Sequence, residues 1–308
     1  MGRLNEVMLF GTVPRLPMIK KNDETGELEN GIGVLNVLRT SNRVKNGRDY
    51  IGLSSPYITT RDPAHIAQMT RWQENDIVLT KGFFSTRVAS KVSTCPFCGA
   101  KNKKKGVLNF VEPIYTHTVQ QTRSSVEAHT TLLNEYREMS NTFRGVGTLM
   151  EDPSRMVFRT TDRSGFAFLQ YRIAISRNYR VRNDPAEKTV DFPWVKVYGE
   201  ACNRDYYRLK KGSQVYIDGY LQTRRVTKHM RCAACGMTYD WTEATMEVVP
   251  YHTEYLSGFR TEEEVQALQE ERNEQVFLNS LMRIYSGAGM GSEIIDEDDE
   301  PKGELDTL

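Results

Sequence analysis

Short runs of β-branched and aromatic residues, bounded by Gly, Pro, Asn and Asp, recur along the chain in the pattern of β-strands. In the first part of the chain they predict five strands, at residues 6–13, 33–39, 50–53, 77–86 and 106–113. In the second part they predict five more, at residues 143–149, 168–176, 192–198, 213–225 and 242–250. The pattern therefore predicts a mainly β protein.

Helix signals lie between and after these runs. Asp62 and Pro63 predict a short helix between the third and fourth strands, because Asp caps free N–H groups and Pro suits the first helical turn. The corresponding helix of the second part fits residues 200–209, and Gly212 can take the left-handed conformation that ends it. Two further pairs have capping-box spacing and predict helices after them: Ser124 with Glu127, and Thr261 with Glu264.

The pattern of the first part is repeated in the second part at a nearly constant offset. Residues 76–87 read DIVLTKGFFSTR, and SQVYIDGYLQTR follows 137 positions later. The segments that match at offsets of 136 or 137 are 5–11 with 141–147, 76–87 with 213–224, and 111–113 with 248–250. We therefore interpret the chain as two copies of one domain, repeat A over residues 4–119 and repeat B over residues 141–256.

Five strands with a helix between the third and fourth follow the order of an OB-fold, a five-stranded Greek-key barrel whose sheet face and loops bind single strands. The expected fold class is mainly β, with two tandem OB-fold barrels, a C-terminal helix and an acidic tail. The expected divisions are domain A at 1–119, a partly helical linker at 120–140, domain B at 141–257, a helix at 258–286 and a disordered tail at 287–308.

Charge is distributed unevenly along the chain. The whole chain has a net charge of +1, and residues 293–308 hold eight acids against Lys302. Since that tail is at −7, residues 1–292 carry +8. A basic body indicates a polyanionic partner for which the acidic tail competes. The alternative is a tail that only favours solubility.

Several function classes lack their sequence signals. No apolar run approaches the roughly 18–20 residues that span a bilayer, and the N-terminus lacks the apolar core of a secretory signal. We therefore expect a cytoplasmic protein with no membrane partner.

The sequence also has no recognisable phosphate loop, paired carboxylates or nucleophile–His–acid arrangement, so we expect no enzyme activity.

Each repeat carries a Cys-x-x-Cys-Gly motif on the long hairpin between its fourth and fifth strands. This motif is the knuckle of zinc ribbons, and structural zinc takes four ligands in a tetrahedron. Neither hairpin has a second pair, so we predict one structural Zn²⁺ per chain, bound by Cys95, Cys98, Cys232 and Cys235. The alternatives are a site shared between two chains, a redox-active pair, a disulfide or vestigial cysteines. Cys202 is expected in the core, and His229 is expected to be exposed rather than a ligand.

Alternating residues place four side chains on one face of the predicted strand at 192–198: Phe192, Trp194, Lys196 and Tyr198. Aromatic rings interleaved with a cation suit a single strand, since bases stack on rings and phosphates meet the charge. Because lysine is rarely fully buried, Lys196 predicts that this face is exposed. The alternative is that some of these rings are barrel core. Arg87, Arg224 and Arg225 are candidate phosphate contacts, or else solvated surface charges.

Repeat B resembles the bacterial single-stranded DNA-binding proteins in several segments: LKKGSQVYIDGYLQTR at 209–224, WVKVYG at 194–199, AISRNY at 174–179, NTFRGVG at 141–147, and Asp152-Pro153. The resemblance implies coating of single-stranded DNA by base stacking. It places Tyr179 and Phe192 where the family has stacking tryptophans, and Tyr198 where it has a phenylalanine. Trp194 stands where a basic residue is common, and Val226 where another tryptophan is common.

Repeat A resembles the family only indirectly, through its similarity to repeat B. We place Tyr50 opposite Phe192, Gly52 opposite Trp194 and Pro56 opposite Tyr198. Tyr50 is therefore its one candidate stacking residue, and repeat A is expected to bind weakly or to act mainly in assembly. Ordinary members of the family lack the four motif cysteines.

The resemblance also implies partners. Four barrels per functional unit would make the chain a homodimer, and an acidic tail would recruit replication or repair proteins. The chain ends in Asp306-Thr-Leu308 rather than in the family's terminal Phe. Two alternatives stay open: a scaffold of a replication, recombination or conjugation complex that binds single strands weakly, and an RNA-binding protein that uses the same face. A chromosomal, plasmid or phage origin is equally open.

Overall fold

The structure is a computed structural model that describes residues 4–45, 48–158, 166–177, 179 and 189–285. The predicted acidic tail lies outside these residues. The chain forms two units, residues 1–260 and residues 261–308. Both repeats belong to the first unit.

Repeat A contains eight strands and one helix within the described residues. In chain order they are β1 (Asn5–Thr12), β2 (Met18–Lys21), β3 (Leu28–Val34), β4 (Val37–Lys45), β5 (Arg48–Ser54), β6 (Tyr57–Thr60), α1 (Pro63–Met69), β7 (Ile77–Thr94) and β8 (Lys101–Gln120). The Asp62 carboxylate accepts a hydrogen bond from the Ala64 backbone N–H at 2.9 Å. This contact confirms the predicted cap of α1.

A linker helix and a short 3₁₀ turn connect the repeats, at α2 (Ser125–Glu135) and Arg137–Met139. The elements of repeat B follow as β9 (Asn141–Leu149), β10 (Ser154–Phe158), β11 (Phe166–Ser176), β12 (Val190–Asp191), β13 (Trp194–Tyr198), α3 (Glu200–Arg208), β14 (Gln214–Arg231) and β15 (Thr238–Ser257). Gly212 has φ of 86° after α3, as its predicted role in ending that helix requires.

The second unit contains α4 (Glu262–Tyr285), which agrees with the predicted C-terminal helix. Its start is a capping box, in which the Thr261 hydroxyl accepts from the Glu264 N–H at 3.3 Å and the Glu264 carboxylate accepts from the Thr261 N–H at 2.8 Å. Among the described helices, none is long and apolar enough to cross a membrane.

Within the described residues, thirteen of the strands form one sheet, and β4 and β5 pair separately. Repeat B closes into a barrel because β9 pairs with β11 on one side and with β14 on the other. In repeat A, a bridge between Thr12 and Asn36 takes the place of the Thr148–Ala174 pairing of repeat B. The mainly β class predicted from the sequence is confirmed.

The two long hairpins are arm A (β7 and β8) and arm B (β14 and β15). Their registers agree position by position at an offset of 137, including both register shifts. The second shift falls at Gly82 in arm A and at Gly219 in arm B. A Cβ at either glycine would collide with a backbone oxygen, that of Glu112 or of Val249. The glycine that follows Lys81 in arm A and Asp218 in arm B therefore allows the same β-bulge in both arms.

An approximate twofold axis relates the repeats and passes through the antiparallel pair of β1 and β9, where Val7 faces Phe143. The Asn5 amide exchanges two hydrogen bonds of 2.9 Å with the backbone of Phe84. The Asn141 amide makes the equivalent pair with Leu221, at 2.8 and 2.9 Å. One hydrophobic core runs through both repeats. This symmetry brings the ends of the arms together.

The strand predictions were wrong in three ways. Residues 33–39 were predicted as one strand, but β3 ends at Val34 and β4 begins at Val37. Short strands β2, β6, β10 and β12 were missed, because two to five residues carry too little alternation to be recognised. The arms also extend well beyond their predicted ends, since the lysine-rich sequence of β8 lacks a strand's usual composition.

Candidate metal centre and nucleic-acid interface

The four predicted cysteine ligands meet where the arms end. Their sulfurs all lie within 4.8 Å of one another. Cys95 Sγ lies 3.7 Å from Cys235 Sγ, and Cys98 Sγ lies 3.6 Å from Cys232 Sγ. All four come from one chain, so a site shared between two chains is not needed to complete the set.

The two knuckles have the same backbone geometry. The Cys95 and Cys232 N–H groups each donate to a carbonyl five residues later, at 2.9 Å in both. Gly99 and Gly236 donate back to the cysteine carbonyls and have φ of 70° and 73°. This left-handed conformation favours glycine, which explains the glycine of the motif.

These distances fit one tetrahedral metal ion. For Zn–S bonds of about 2.3 Å, sulfurs at the corners of a tetrahedron are separated by about 3.8 Å. The Cys95–Cys235 and Cys98–Cys232 sulfur distances are both close to this value. The four sulfurs are therefore placed as the ligands of one ion would be.

The thiols of this cluster differ in acidity. The Cys235 backbone N–H and the Asn102 amide, whose Nδ2 lies 3.6 Å from Cys232 Sγ, lower the pKa of Cys232 to about 6. For Cys98 the Ala100 backbone N–H favours the thiolate, but desolvation and the neighbouring sulfurs outweigh it and raise its pKa to about 12. Four crowded sulfurs resist ionising together, and a divalent cation would remove that resistance.

A polar network supports the cysteines. Asn102 also donates to the Tyr239 hydroxyl at 3.1 Å and accepts from the Ala233 N–H at 3.1 Å. Tyr239 OH lies 2.7 Å from Ser93 Oγ on the other arm. His229 is exposed and lies 2.6 Å from Asp240, outside the cluster, and Cys202 is buried, so both expectations are confirmed.

The outer face of β13 carries the predicted aromatic set of repeat B. Trp194 is exposed, and the guanidinium of Arg172 lies 5.5 Å from the centre of its ring. Val195 and Val197, at the alternate positions, are buried in the core. Trp194 is therefore presented outward beside a cation, as stacking on a base requires. Sequence reasoning missed the role of Arg172, which reaches this face from β11 and carries no motif of its own.

The expectation that Lys196 is exposed was wrong. Its side chain is 6% exposed, its ammonium lies 3.4 Å from the Glu247 carboxylate, and it sits 4.7 Å from the ring centre of Phe168. Burial lowers the pKa of Lys196, and Glu247 offsets part of that effect. A buried counter-charge on a neighbouring strand explains the difference, since sequence alternation alone does not reveal it.

Two other members of the set also have partners within this face. Arg224 Nε lies 3.1 Å from the same Glu247 carboxylate. The half-buried Tyr198 ring packs 6.0 Å from Phe168, and its hydroxyl lies 3.4 Å from the Gln222 amide. Lys196, Tyr198 and Arg224 are therefore linked through Glu247 and Gln222.

Tyr179 and Phe192 lie instead where repeat B contacts repeat A. Tyr179 stacks on Phe83 of arm A, with ring centres 6.2 Å apart and planes 12° apart. The Phe192 backbone N–H is 3.3 Å from the Thr86 hydroxyl. Tyr179 remains 44% exposed, so it still presents ring surface to solvent.

The remaining candidates are spread apart. Arg225 is exposed and adjacent to Arg224, so the two side chains leave opposite faces of β14. Arg87 lies over the Phe110 ring at 5.1 Å in arm A. Tyr50 lies in β5, and its side chain is outside the described residues.

The alignment that placed Tyr50 opposite Phe192 and Gly52 opposite Trp194 was wrong. β6 pairs with β8 as β13 pairs with β15, at an offset of 137, which puts Tyr57 opposite Trp194. The error arose because β6 was missed in the sequence and β5 was taken for its strand. Pro56 likewise loses its proposed match to Tyr198.

The similarity of the sequence to known proteins lies in repeat B. Residues 141–231 match the single-strand binding protein family. The chain resembles the single-strand binding proteins. No curated protein sequence matches the chain.

Solved structures of single-strand binding proteins share this fold. The wild-type single-stranded DNA binding protein from Thermus aquaticus is 16% identical, with a TM-score of 0.50 over 85% of this chain and 97% of that chain. A deletion mutant of the same Thermus aquaticus protein is 18% identical, with a TM-score of 0.50 over 85% of this chain and 100% of that chain. At this identity the likeness shows the OB fold, which confirms the predicted fold class.

Proposed function

We propose that the chain binds single-stranded DNA without sequence preference. The main support is the outer face of β13, where exposed Trp194 lies beside the Arg172 guanidinium in a barrel of the single-strand binding fold. Bases stack on such rings whatever their sequence, and nearby cations meet the phosphates. The match of residues 141–231 to the single-strand binding protein family adds independent support.

The second part of the proposal is one structural Zn²⁺ per chain, bound by Cys95, Cys98, Cys232 and Cys235. Four cysteine sulfurs at these distances and two glycine-bearing knuckles fit a tetrahedral thiolate site, the kind that holds structural zinc. Since each arm supplies two ligands, the ion would fasten arm A to arm B.

The wider role that we propose follows from the resemblance. The protein would protect single strands during DNA replication, recombination or repair in the cytoplasm, without enzyme activity. A homodimer would provide four OB folds, and the acidic tail would contact replication or repair proteins.

The test is a gel-shift comparison of a single strand with a duplex, using the wild-type chain and the double variant Trp194→Ala/Tyr198→Ala. We expect the wild-type chain to shift the single strand only, and the variant to bind it at least tenfold more weakly, at about 1–3 kcal/mol per stacked base. Thermal unfolding checks that the variant folds. A folded variant with unchanged affinity would favour a scaffold role for the barrels.

A further inference from the structure

Strand β6 occupies in repeat A the place that β13 occupies in repeat B. Each pairs in parallel with the fifth strand of its barrel, at positions 137 apart: Ile58 with Val111, and Val195 with Val248. Ile58 and Val195 are both fully buried. Tyr57 and Trp194, one residue earlier, therefore project from equivalent positions on the outer faces of the two barrels.

The side chain of Tyr57 is as accessible as that of its counterpart. Both residues are 36% exposed. Tyr57 lines a pocket between the arms with Val107 and Leu108 of arm A and with Thr223 and Met246 of arm B. Val107 and Leu108 are themselves exposed, so the pocket offers an apolar floor beside an aromatic ring. A base is a flat apolar group of the kind that such a surface accepts.

Positive charge is concentrated on arm A. Four exposed lysines lie close together on β8: Lys101, Lys103, Lys104 and Lys105. Residues 83–111 contain no Asp or Glu, whereas the equivalent residues 220–248 contain Asp240, Glu243 and Glu247. The two arms share a fold but not a charge, and the basic arm belongs to the repeat whose sequence departs most from the family.

We propose that repeat A is itself a single-strand-binding surface, on which a base stacks on Tyr57 and the phosphate backbone continues along the lysines of arm A. Lys105 is two positions from Val107 of the pocket, on the same face of β8, or about 7 Å at the usual rise of a strand. The ring, the apolar floor and the cations thus form a continuous path. This inference rests on the proposed single-strand binding and extends it to the repeat that sequence reasoning had assigned to weak binding or assembly.

The test compares a short oligo-dT with a long one, by titration with the full chain. An OB fold covers about 4–16 nucleotides, so a strand of about 10 nucleotides fits one repeat and one of about 30 spans both. We expect Tyr57→Ala to weaken binding of the long strand about tenfold and to halve the number of short strands bound per chain, through loss of one stacked base. Tyr57→Phe, which keeps the ring, should behave as the wild-type chain.

Tyr115→Ala is the matched control, because Tyr115 is an exposed tyrosine of β8 outside this pocket. Lys103→Glu/Lys105→Glu should weaken long-strand binding more strongly at low salt than at high salt. Suppose that Tyr57→Ala binds the long strand as the wild-type chain does, while Trp194→Ala binds it more weakly. The proposed binding surface of repeat A would then be wrong, and the proposed function of the chain would stand. A wild-type chain that binds neither strand would overturn both.

Discussion

At the scale of single residues, the buried Glu247 carboxylate organises the charges of repeat B. It pairs with Lys196 at 3.4 Å and with Arg224 at 3.1 Å, and Lys196 is thereby held in the sheet under Phe168. The residue of this face left to meet a nucleic acid is the more exposed Trp194, beside the Arg172 guanidinium. The buried residues therefore stabilise this face, and the exposed ones are available to contact a nucleic acid.

Lys196→Gln tests this division. We expect the free energy of unfolding to fall by about 1–3 kcal/mol, because a buried carboxylate loses one of its charged partners. The salt dependence of single-strand binding should not change. Arg225→Gln is the comparison: it should leave stability nearly unchanged and reduce the slope of log affinity against log salt by about 0.7, the loss of one phosphate contact. A reduced slope for Lys196→Gln would place that lysine on the phosphates.

At the scale of elements, the long arms and their knuckles determine how the repeats are joined. The cysteine motifs, the capping boxes and the repeat offset could be predicted from the sequence, because each depends on residue type at fixed spacing. Strand β6 and the full length of the arms could not. Four residues are too few for a periodic signal, and the lysines of β8 form strand only because β7 pairs with them along the whole arm.

Zinc content tests the junction of the arms. We expect one zinc per purified chain by elemental analysis, and its loss in Cys98→Ser or Cys235→Ser. Removing the ion with a chelator should lower the melting temperature and expose arms A and B to proteolysis, since the free energy of metal binding adds to that of folding. The control is Cys202→Ala, which removes a buried cysteine outside the cluster and should retain the zinc. A chain that folds fully and contains no metal would contradict the site.

At the scale of the whole molecule, the twofold relation is complete in the backbone of the arms but not in the charges. Asp191 of repeat B accepts from the Thr86 N–H at 2.7 Å, and Ser54, its equivalent in repeat A, accepts from the Thr223 N–H at 3.2 Å. Asp191 also pairs with a buried guanidinium, that of Arg177 at 2.5 Å, whereas a serine cannot form an ion pair. The symmetry could be predicted from the sequence repeat, but this pair could not, because its partners become neighbours only in the folded sheet.

The equivalent positions give a matched pair of variants. We expect Asp191→Ala to lower the free energy of unfolding by about 3–5 kcal/mol, because it leaves the buried Arg177 cation without its counter-charge. Ser54→Ala should cost only about 1 kcal/mol, the value of a neutral hydrogen bond. Chemical denaturation measures both. Equal losses at the two positions would mean that the ion pair adds nothing to the contact between repeats.

Single-strand binding by this chain can be measured by tryptophan fluorescence. The purified chain would be titrated with oligo-dT and with a duplex, at low and at high salt. We expect tight quenching by the single strand alone, weakened by salt, because Trp194 would stack on bases while lysines and arginines would meet phosphates. A chain that shows no quenching and does not migrate with oligo-dT in a gel would contradict it.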